Sequence, residues 1–337
     1  MQKAIKEVLL RAIVLSAVMA VILLGVQSAY AAEDPRKLVP MGNAVGIKLF
    51  SDGVIVTGFA DNLPALPAKS AGLRPGDIIT HINQNEVDTI EEVRSLLQQT
   101  GAAPLSLQVS RNDKQVEIQT LAVRSHDGQY LLGAWIRDSM AGIGTITYYD
   151  PANGSYAALG HPINDLDTGI IMPVEDGGLM PATVVGVNKG EKGHPGELQG
   201  SFDTGTSLGG LTTNNSAGIF GALTADALIC NDALPVADRS EVQLGKAAIL
   251  STVAGTEVRA YEIEILRILP DGNEDNRDLM LKVTDPTLLA ATNGIVQGMS
   301  GSPIIQNGKF IGAVTHVLVG DPTQGYGILA TTMLDAV

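Results

Sequence analysis

The feature that most constrains the fold of this chain is the segment 70–83, which reads SAGLRPGDIITHIN. A glycine followed by a Pro-Gly pair marks a tight turn. The apolar run at 78–82 that leaves this turn has the composition of a strand. The segment therefore predicts a turn that leads into a strand, within a β-rich module that extends from about residue 39 to 123.

The rest of this module has the pattern of one helix and further strands. Residues 89–100 are amphipathic, with apolar side chains at helical spacing and Thr89 or Asp88 as the N-cap. Alternating segments at 105–109 and 116–121 flank a polar turn and predict two strands. These elements predict a compact α/β arrangement dominated by strands.

The segment 70–83 and its neighbours resemble a PDZ domain. The resemblance implies that the short Ala-Gly-Leu helix, the Pro-Gly-Asp turn and the next strand form the core, and that the helix at 89–100 walls a peptide groove. It also implies a loop whose N–H groups receive a peptide's C-terminal carboxylate, after which the peptide adds a strand to the sheet. That loop corresponds to Gly46, Ile47, Lys48, Leu49 and Phe50. A β-rich domain without a ligand is the alternative.

Length and charge limit the remaining possibilities. The 337 residues accommodate about two domains and a targeting segment. The formal net charge of −14 argues against nucleic acid as a partner, because a phosphate backbone requires a basic patch. The single cysteine, Cys230, excludes an intramolecular disulfide and cannot form a zinc site alone. We expect it to be a buried apolar residue.

The N-terminus has the pattern of an export signal. Basic residues precede an apolar run at 12–26, and the small-x-small sequence Ala-Tyr-Ala follows at 29–31. The run of fifteen residues is shorter than the roughly 20 that span a bilayer, so residues 1–32 are predicted to be either a signal peptide or a membrane anchor. Because the basic residues lie on the N-terminal side, the bulk of the protein is expected outside the cytoplasm.

The segment 298–305, GMSGSPII, is the candidate nucleophile loop. It resembles the Gly-x-Ser-Gly-Gly-Pro loop of chymotrypsin-like enzymes, with Ser302 where those enzymes carry glycine. Gly298 permits a backbone shape in which its N–H and that of Ser300 point into one pocket and form an oxyanion hole. An Asn-Gly pair at 307–308 then closes a hairpin. A plain Gly/Ser turn between two strands is the alternative.

Five histidines are candidates for the base that would activate Ser300. His161 lies where an apolar stretch meets a turn, and it precedes Ser300 in the chain, as in chymotrypsin-like enzymes. His194 lies in a polar loop, and His316 lies in a strand pattern. His161 is therefore the predicted base, and either of the other two could be a decoy.

Three blocks of sequence, in one order, resemble the SpoIVB peptidase family of PDZ-containing serine peptidases from endospore-forming bacteria. These blocks are residues 135–147, 160–163 and 298–315. The resemblance implies a catalytic serine, histidine and aspartate, which are Ser300, His161 and Asp285 in this chain. Asp285 lies only fifteen residues before Ser300, whereas chymotrypsin-like order places the acid midway between base and nucleophile. Asp165 and Asp167 therefore remain competitors for the third position.

The same resemblance implies a biological role. The peptidase would act in the space between forespore and mother cell, process itself, and cut a membrane-bound regulator that restrains an intramembrane protease. That cut would activate late sigma-factor processing. Its partners would be a peptide or protein substrate and a PDZ ligand tail, or a segment of the enzyme itself. The reaction requires no metal and no organic cofactor.

These patterns together predict a mainly β protein with a signal peptide or anchor at 1–32, a PDZ domain at 39–123, and a chymotrypsin-like β-barrel serine peptidase domain at 130–337. The predicted function is that of an exported serine endopeptidase regulated by the PDZ domain. A non-catalytic extracytoplasmic adaptor is the alternative.

An aspartic protease is a further possibility, because Asp167 and Asp203 each begin an Asp-Thr-Gly sequence. The two aspartates are only 36 residues apart, and no duplicated flanking strands accompany them. Two-lobed aspartic proteases repeat a whole lobe between their aspartates, so this class does not fit the spacing.

Overall fold

The computed structural model describes residues 36–63, 65–224, 231–272 and 276–337, so the predicted segment at 1–32 and Cys230 lie outside the described residues. The strands before the last barrel are β1 (Lys37–Pro40), β2 (Ala44–Phe59), β3 (Ile78–Ile82), β4 (Asn85–Glu86), β5 (Pro104–Arg111), β6 (Lys114–Leu121), β7 (Val123–Arg124), β8 (Tyr130–Leu131), β9 (Ala134–Tyr149), β10 (Ser155–Ala158), β11 (Asp176–Asn188), β12 (Glu197–Phe202), β13 (Gly209–Asn215), β14 (Gly218–Leu223) and β15 (Leu234–Pro235).

The remaining elements are mostly in the C-terminal part. The strands are β16 (Gly245–Ser251), β17 (Arg259–Ile268), β18 (Leu279–Val283), β19 (Pro303–Gln306), β20 (Lys309–Val317) and β21 (Gln324–Leu329). The helices are α1 (Pro67–Ser70), α2 (Ile90–Thr100), α3 (Pro286–Thr292) and α4 (Ala330–Leu334), with a 3₁₀ turn at Arg239–Glu241. The fold is mainly β, as the sequence predicted.

The two longest strands, β2 and β9, are antiparallel partners and form the frame of the fold. Residues 44–50 of β2 pair with 139–145 of β9, and residues 55–59 pair with 134–137 after a bulge that contains Gly53. Gly53 has φ of +80°, a conformation that favours glycine. The bulge divides the β2–β9 ladder into two halves. The half with residues 44–50 is continuous with β11, and the half with residues 55–59 is continuous with β3.

The module between these strands contains the PDZ-like sequence motif. Its strands β3, β5 and β6 extend the sheet from the second half of β2, and α2 packs against their apolar face. Thr89 and Glu92 exchange hydrogen bonds in a capping box at the start of α2, which confirms the predicted N-cap. Val93 and Leu97 are the buried residues of this helix, as expected from their spacing.

The boundaries of this module differ from the prediction of 39–123 followed by 130–337. Residues 44–50, which were assigned to the module, pair with β11 and with the second half of β9, both of which follow the module in the chain. The module is therefore an insertion between β2 and β9, joined to the rest by two continuous strands. Sequence alone could not show this, because a strand pattern does not identify its partner strand.

The remaining strands form two β assemblies. Strands β1, β9, β10, β14, β13, β11 and β2 lie in one sheet, around a core that includes Leu49, Ile146 and Tyr156. Strands β16, β17, β18, β21, β20 and β19 form a closed barrel. The predicted hairpin at 307–308 is confirmed: Asn307 and Gly308 both have positive φ between β19 and β20.

No helix in the described part of the chain has both the length and the apolar character required to cross a membrane.

Candidate active site

Ser300 and His161 line one cleft of about 410 Å³. His161 follows β10, and Ser300 precedes β19, so the cleft lies where the first sheet meets the barrel. Most of the other lining side chains are apolar, and the set includes no carboxylate. The structure thus brings together the predicted nucleophile and the predicted base, although 139 positions separate them in the chain.

The loop that carries Ser300 is fixed to β9 by hydrogen bonds. Thr145 donates from its N–H to the carbonyl of Ser300 at 3.1 Å, and from its Oγ1 to the carbonyl of Gly298 at 2.7 Å. A Cβ on Gly301 would lie 2.1 Å from the carbonyl oxygen of Thr145, and Gly301 has φ of +95°. Only glycine fits at that position, which explains in physical terms why glycine follows Ser300.

Two backbone donors in this loop are available to a ligand. Gly298 also has φ of +95°. Within the described ranges, neither its N–H nor that of Ser300 donates a hydrogen bond. Unpaired N–H groups next to a nucleophile can stabilise the oxyanion of a tetrahedral intermediate. Their assignment as an oxyanion hole stays a prediction, and the geometry fits it.

The hydroxyl of Ser300 donates to the carbonyl of Thr315, with 2.8 Å between the oxygens. Thr315 lies in β20, on the barrel side of the cleft. Attack on a substrate requires the hydroxyl to leave this carbonyl and to turn toward an imidazole nitrogen. The structure therefore shows the nucleophile in a resting orientation.

His161 presents one ring nitrogen as a base. Its Nδ1 lies 2.8 Å from the carbonyl oxygen of Pro162. Because a carbonyl only accepts hydrogen bonds, Nδ1 carries the proton and Nε2 has the free lone pair. Burial lowers the pKa of His161 below its ordinary value, and the bond to Pro162 partly offsets this effect. The ring is therefore neutral at neutral pH, as a general base must be.

His316 also lies in the cleft, which sequence reasoning did not predict. Its ring centroid is 5.2 Å from that of His161, with 42° between the planes. The strand pattern around His316 suggested a structural role, and no local signal distinguishes it from such a residue. His316 is the residue after Thr315 on strand β20, and the carbonyl of Thr315 accepts the Ser300 hydrogen bond. The path of β20 therefore brings His316 to the cleft.

The structure does not place Asp285 beside His161, contrary to the role that the resemblance implies. Asp285 is the N-cap of α3. Its Oδ1 accepts hydrogen bonds from the N–H groups of Thr287 and Leu288, and its Oδ2 accepts from that of Glu262 at 3.4 Å. Both carboxylate oxygens thus cap α3 and join it to β17, and no hydrogen bond links Asp285 to His161 in the described part of the chain.

The two competing aspartates are not hydrogen-bonded to His161 either. The carboxylates of Asp165 and Asp167 both form ion pairs with Arg137 on β9. Asp203, the other member of the suggested aspartic pair, accepts hydrogen bonds from Gly205 and Thr206 in its own turn. Each aspartate therefore has a local structural role.

The segment Gly46–Phe50 does not form the predicted carboxylate-binding loop. It is the first half of β2, a central strand, and it pairs with β9 on one edge and with β11 on the other. Its N–H groups point into these two ladders, so a peptide cannot add a strand there. The resemblance to a PDZ domain suggested that residues 46–50 form this loop. The module is instead inserted between β2 and β9, so these residues belong to a central strand outside it.

An apolar groove that is a candidate peptide site lies elsewhere in the inserted module. A cavity of about 570 Å³ separates α2 from residues 131–136, with apolar walls that include Val93 and Leu97. In the described part of the chain, the N–H groups of Leu132 and Gly133 donate no hydrogen bond. They can therefore receive a carboxylate, which is the role that residues 46–50 were expected to have. The prediction that the helix at 89–100 walls a groove agrees with this arrangement.

The edge of β9 beside this groove is also open. Residues 134–145 pair with β2 on one side, whereas β10 and β1 pair on the other side only from residue 146 onward. An extended peptide can therefore hydrogen-bond to this edge.

The pKa of His161 predicts a pH profile for any reaction that uses it as a base. Catalysis requires the neutral ring, so kcat/KM should rise with pH through the pKa of His161. Because that pKa lies below 6.5, the acid limb should have its midpoint below pH 6.5. The measurement is kcat/KM between about pH 5 and pH 8 with an uncharged peptide. A midpoint above pH 6.5 would contradict the buried, neutral state.

Comparison with known proteins identifies two families. Residues 128–334 match the family model described as SpoIVB peptidase S55, and residues 63–111 match that of the PDZ domain. No curated protein matches the chain.

Several solved structures are similar to parts of it. The PDZ domain of the SdrC-like protein from Listeria monocytogenes is 21% identical, covers 25% of this chain and 87% of its own, and has a TM-score of 0.22. The active form of the Rv3671c protease from M. tuberculosis is 16% identical, covers 58% of this chain and 72% of its own, and has a TM-score of 0.34. The HtrA-type protease AlgW with a decapeptide is 11% identical, covers 63% and 54%, and has a TM-score of 0.34. These values are too low to carry an argument about function.

Proposed function

Because the chain belongs to the SpoIVB peptidase S55 family and carries a PDZ domain, we propose that it is an exported serine endopeptidase whose peptide groove regulates cleavage. The two matches confirm the resemblances seen in the sequence. The protein is a mainly β, PDZ-containing serine peptidase, and it acts on peptides or proteins.

The proposed mechanism uses Ser300, His161 and two backbone N–H groups. Nε2 of His161 takes the proton of the Ser300 hydroxyl as Oγ attacks the scissile carbonyl. The N–H groups of Gly298 and Ser300 hold the oxyanion of the tetrahedral intermediate. His161 then gives its proton to the leaving amine, and water hydrolyses the acyl-enzyme. His316 packs against His161 and restricts the orientation of its ring.

The observation that carries this proposal is the shared cleft, which contains a serine hydroxyl, a neutral imidazole and two unpaired N–H donors. A fluorophosphonate probe tests it directly. We expect the probe to label one residue, and mass spectrometry should locate it at Ser300. His161→Ala should abolish labelling, because the hydroxyl would lose its base. A folded protein that takes up no probe would favour the non-catalytic adaptor.

The cleft also suggests a substrate class. The cleft around Ser300 is lined by apolar side chains, among them Ile143, Ile295, Val296 and Val317. Among the described residues, no aspartate, glutamate, lysine or arginine lines it. A substrate with an apolar side chain next to the scissile bond removes the most apolar surface from water there. We therefore propose cleavage beside apolar residues.

Family membership and the N-terminal sequence support a proposal for the biological role. The signal-like segment at 1–32 supports export, with or without retention as an anchor. We propose that the protein acts in the space between forespore and mother cell, processes itself, and cuts a membrane-bound regulator that controls late sigma-factor processing. A strain in which Ser300 is alanine should accumulate the uncut regulator and the unprocessed peptidase. Normal processing of both in that strain would refute this role.

A further inference from the structure

Strand β9 contributes to both functional regions of the molecule. Residues 134–136 form one wall of the peptide groove, and residues 140–143 line the cleft that contains Ser300. Only three residues separate these two stretches. Two of them, Arg137 and Asp138, have charged side chains, and each makes a specific contact with one of the two regions.

Asp138 connects β9 to the helix of the groove. Its Oδ2 accepts a hydrogen bond from the N–H of Ile90 at 3.0 Å, and Ile90 is the first residue of α2. Its Oδ1 accepts from the hydroxyl of Ser139 at 3.0 Å. The carboxylate therefore ties the N-terminal end of α2 to the strand that forms the opposite wall of the groove.

Arg137 connects the same strand to the loop that follows His161. Its guanidinium pairs with Asp165 and, at 2.8 Å, with Asp167. The carboxylate of Asp165 is fully buried, and it also accepts hydrogen bonds from the N–H groups of Asp167 and Thr168 and from the Thr168 hydroxyl. A buried carboxylate with this many partners makes a rigid turn. The two ion pairs therefore link the turn at Asp165 to Arg137.

This loop forms part of the cleft. Leu166 lies between the two aspartates, lines the cleft and is 82% exposed. Ile163 lines the same cleft two residues after His161, and its backbone is bonded to the side chain of Asn214. A movement of the loop therefore changes both the rim of the cleft and the chain segment that orients His161.

A peptide in the groove would act on these contacts from a defined direction. Gln98, near the C-terminal end of α2, exchanges hydrogen bonds with the backbone of Tyr130, so the groove is closed beside the free N–H groups of Leu132 and Gly133. A peptide with its C-terminal carboxylate on these groups would pair antiparallel with β9. Its upstream residues would then reach Asp138 after about five residues, at roughly 3.4 Å per residue.

We propose that Arg137 and Asp138 are positioning residues that couple a C-terminal peptide in the groove to the loop after His161. A bound peptide inserts between α2 and β9 and breaks the bond from Ile90 to Asp138. The freed segment of β9 then shifts Arg137 and, with it, the turn at Asp165. The resting structure has the Ser300 hydroxyl on the Thr315 carbonyl, so the shift favours the reactive arrangement and raises kcat. This proposal rests on the proposed peptidase function.

The test uses a five-residue peptide that ends in leucine with a free carboxylate, and its C-terminal amide as the comparison. Trp135 is the single tryptophan of the chain, is 61% exposed and lines the groove, so its fluorescence reports binding. The free acid should bind more tightly than the amide. It should raise kcat at least about fivefold, the lower range of allosteric coupling, and change hydrogen exchange in residues 162–171.

The variant that tests the coupling is Arg137→Gln. It should bind the peptide with a Kd within about threefold of the parent value, because Arg137 does not line the groove. It should nevertheless lose both the rise in kcat and the exchange response. Asp167→Asn is a milder second variant, because it removes the exposed carboxylate that pairs with Arg137. It should lose most of the rise in kcat and of the exchange response. Arg267→Gln, which changes an exposed arginine on the barrel strand β17, is the control and should respond as the parent does.

The outcomes separate this proposal from the peptidase function. If Arg137→Gln shows the full rise in kcat and the full exchange response, the coupling is refuted while the peptidase stands. Equal binding of acid and amide, or no binding, refutes the groove assignment. If the parent cleaves nothing, the exchange response still reports whether the groove and the loop are coupled.

Discussion

Replacing Ser300 with alanine is expected to lower kcat/KM for peptide cleavage by a factor of about 10⁴ to 10⁶, because the nucleophile is lost while the two oxyanion donors remain. His161→Ala should cost about as much. The double variant should be no slower than either single variant, because nucleophile and base act as one unit. The measurement is hydrolysis of an unfolded protein by variants whose folding has been matched by circular dichroism. Cleavage that persists in both single variants would show that another site performs it.

Asp285→Asn is the informative control in that series. Asparagine caps a helix about as well as aspartate, so the cap of α3 should be kept and only the long contact from the Glu262 N–H lost. An acid-to-amide change in a catalytic triad costs about 10⁴ in kcat. We therefore expect Asp285→Asn to retain kcat/KM within about threefold, and Asp285→Ala to lose about 1 kcal/mol of stability. A loss near 10⁴ in the asparagine variant would return Asp285 to the catalytic set.

Ile295→Ala should change the preference of the peptidase for the residue before the scissile bond. Ile295 is 97% buried, lines the cleft, and has its Cδ1 only 2.6 Å from the point where a Cβ on Gly325 would lie. Its side chain lies below the surface of the cleft that contains Ser300, and we expect it to limit the size of the apolar side chain that the cleft accepts. Removing it should raise kcat/KM for phenylalanine relative to alanine by about 10- to 100-fold.

The control for this variant is Ile311→Ala. Ile311 belongs to the same barrel core and is equally buried, but it does not line the cleft. Both substitutions should destabilise the protein by roughly 2–5 kcal/mol, so stability alone cannot explain a difference in specificity. The measurement is kcat/KM for two peptides that differ only at that residue. An unchanged ratio in Ile295→Ala would remove Ile295 from the specificity pocket.

The sequence was sufficient for features that depend on local chemistry. The capping box at Thr89, the hairpin at 307–308 and the glycines around Ser300 all follow from what a few neighbouring residues can adopt. The same holds for the family assignments, because their motifs are contiguous. These local constraints act over a few residues, so they can be read without knowledge of the partner strands.

Tertiary structure decided which distant segments meet. Strand patterns predicted that residues 46–50 are extended, but only the pairing of β2 with β9 and β11 shows that both of their edges are occupied. The same pairing moves the peptide groove to residues 131–136 and brings Arg137 to the loop after His161.

In the candidate site, too, local sequence motifs and long-range pairing each supplied different residues. Motifs predicted Ser300 and His161, whereas His316 reached the cleft only through the path of β20. Thr145 reached the loop of Ser300 only through the path of β9. The family resemblance implied a catalytic role for Asp285, and the fold uses its carboxylate to cap α3. Backbone ladders accept almost any residue, so alternation reveals that a segment is a strand but not which strand lies beside it. The sequence by itself determined the family of this protein and its candidate reacting groups, and long-range pairing decided how its segments are joined.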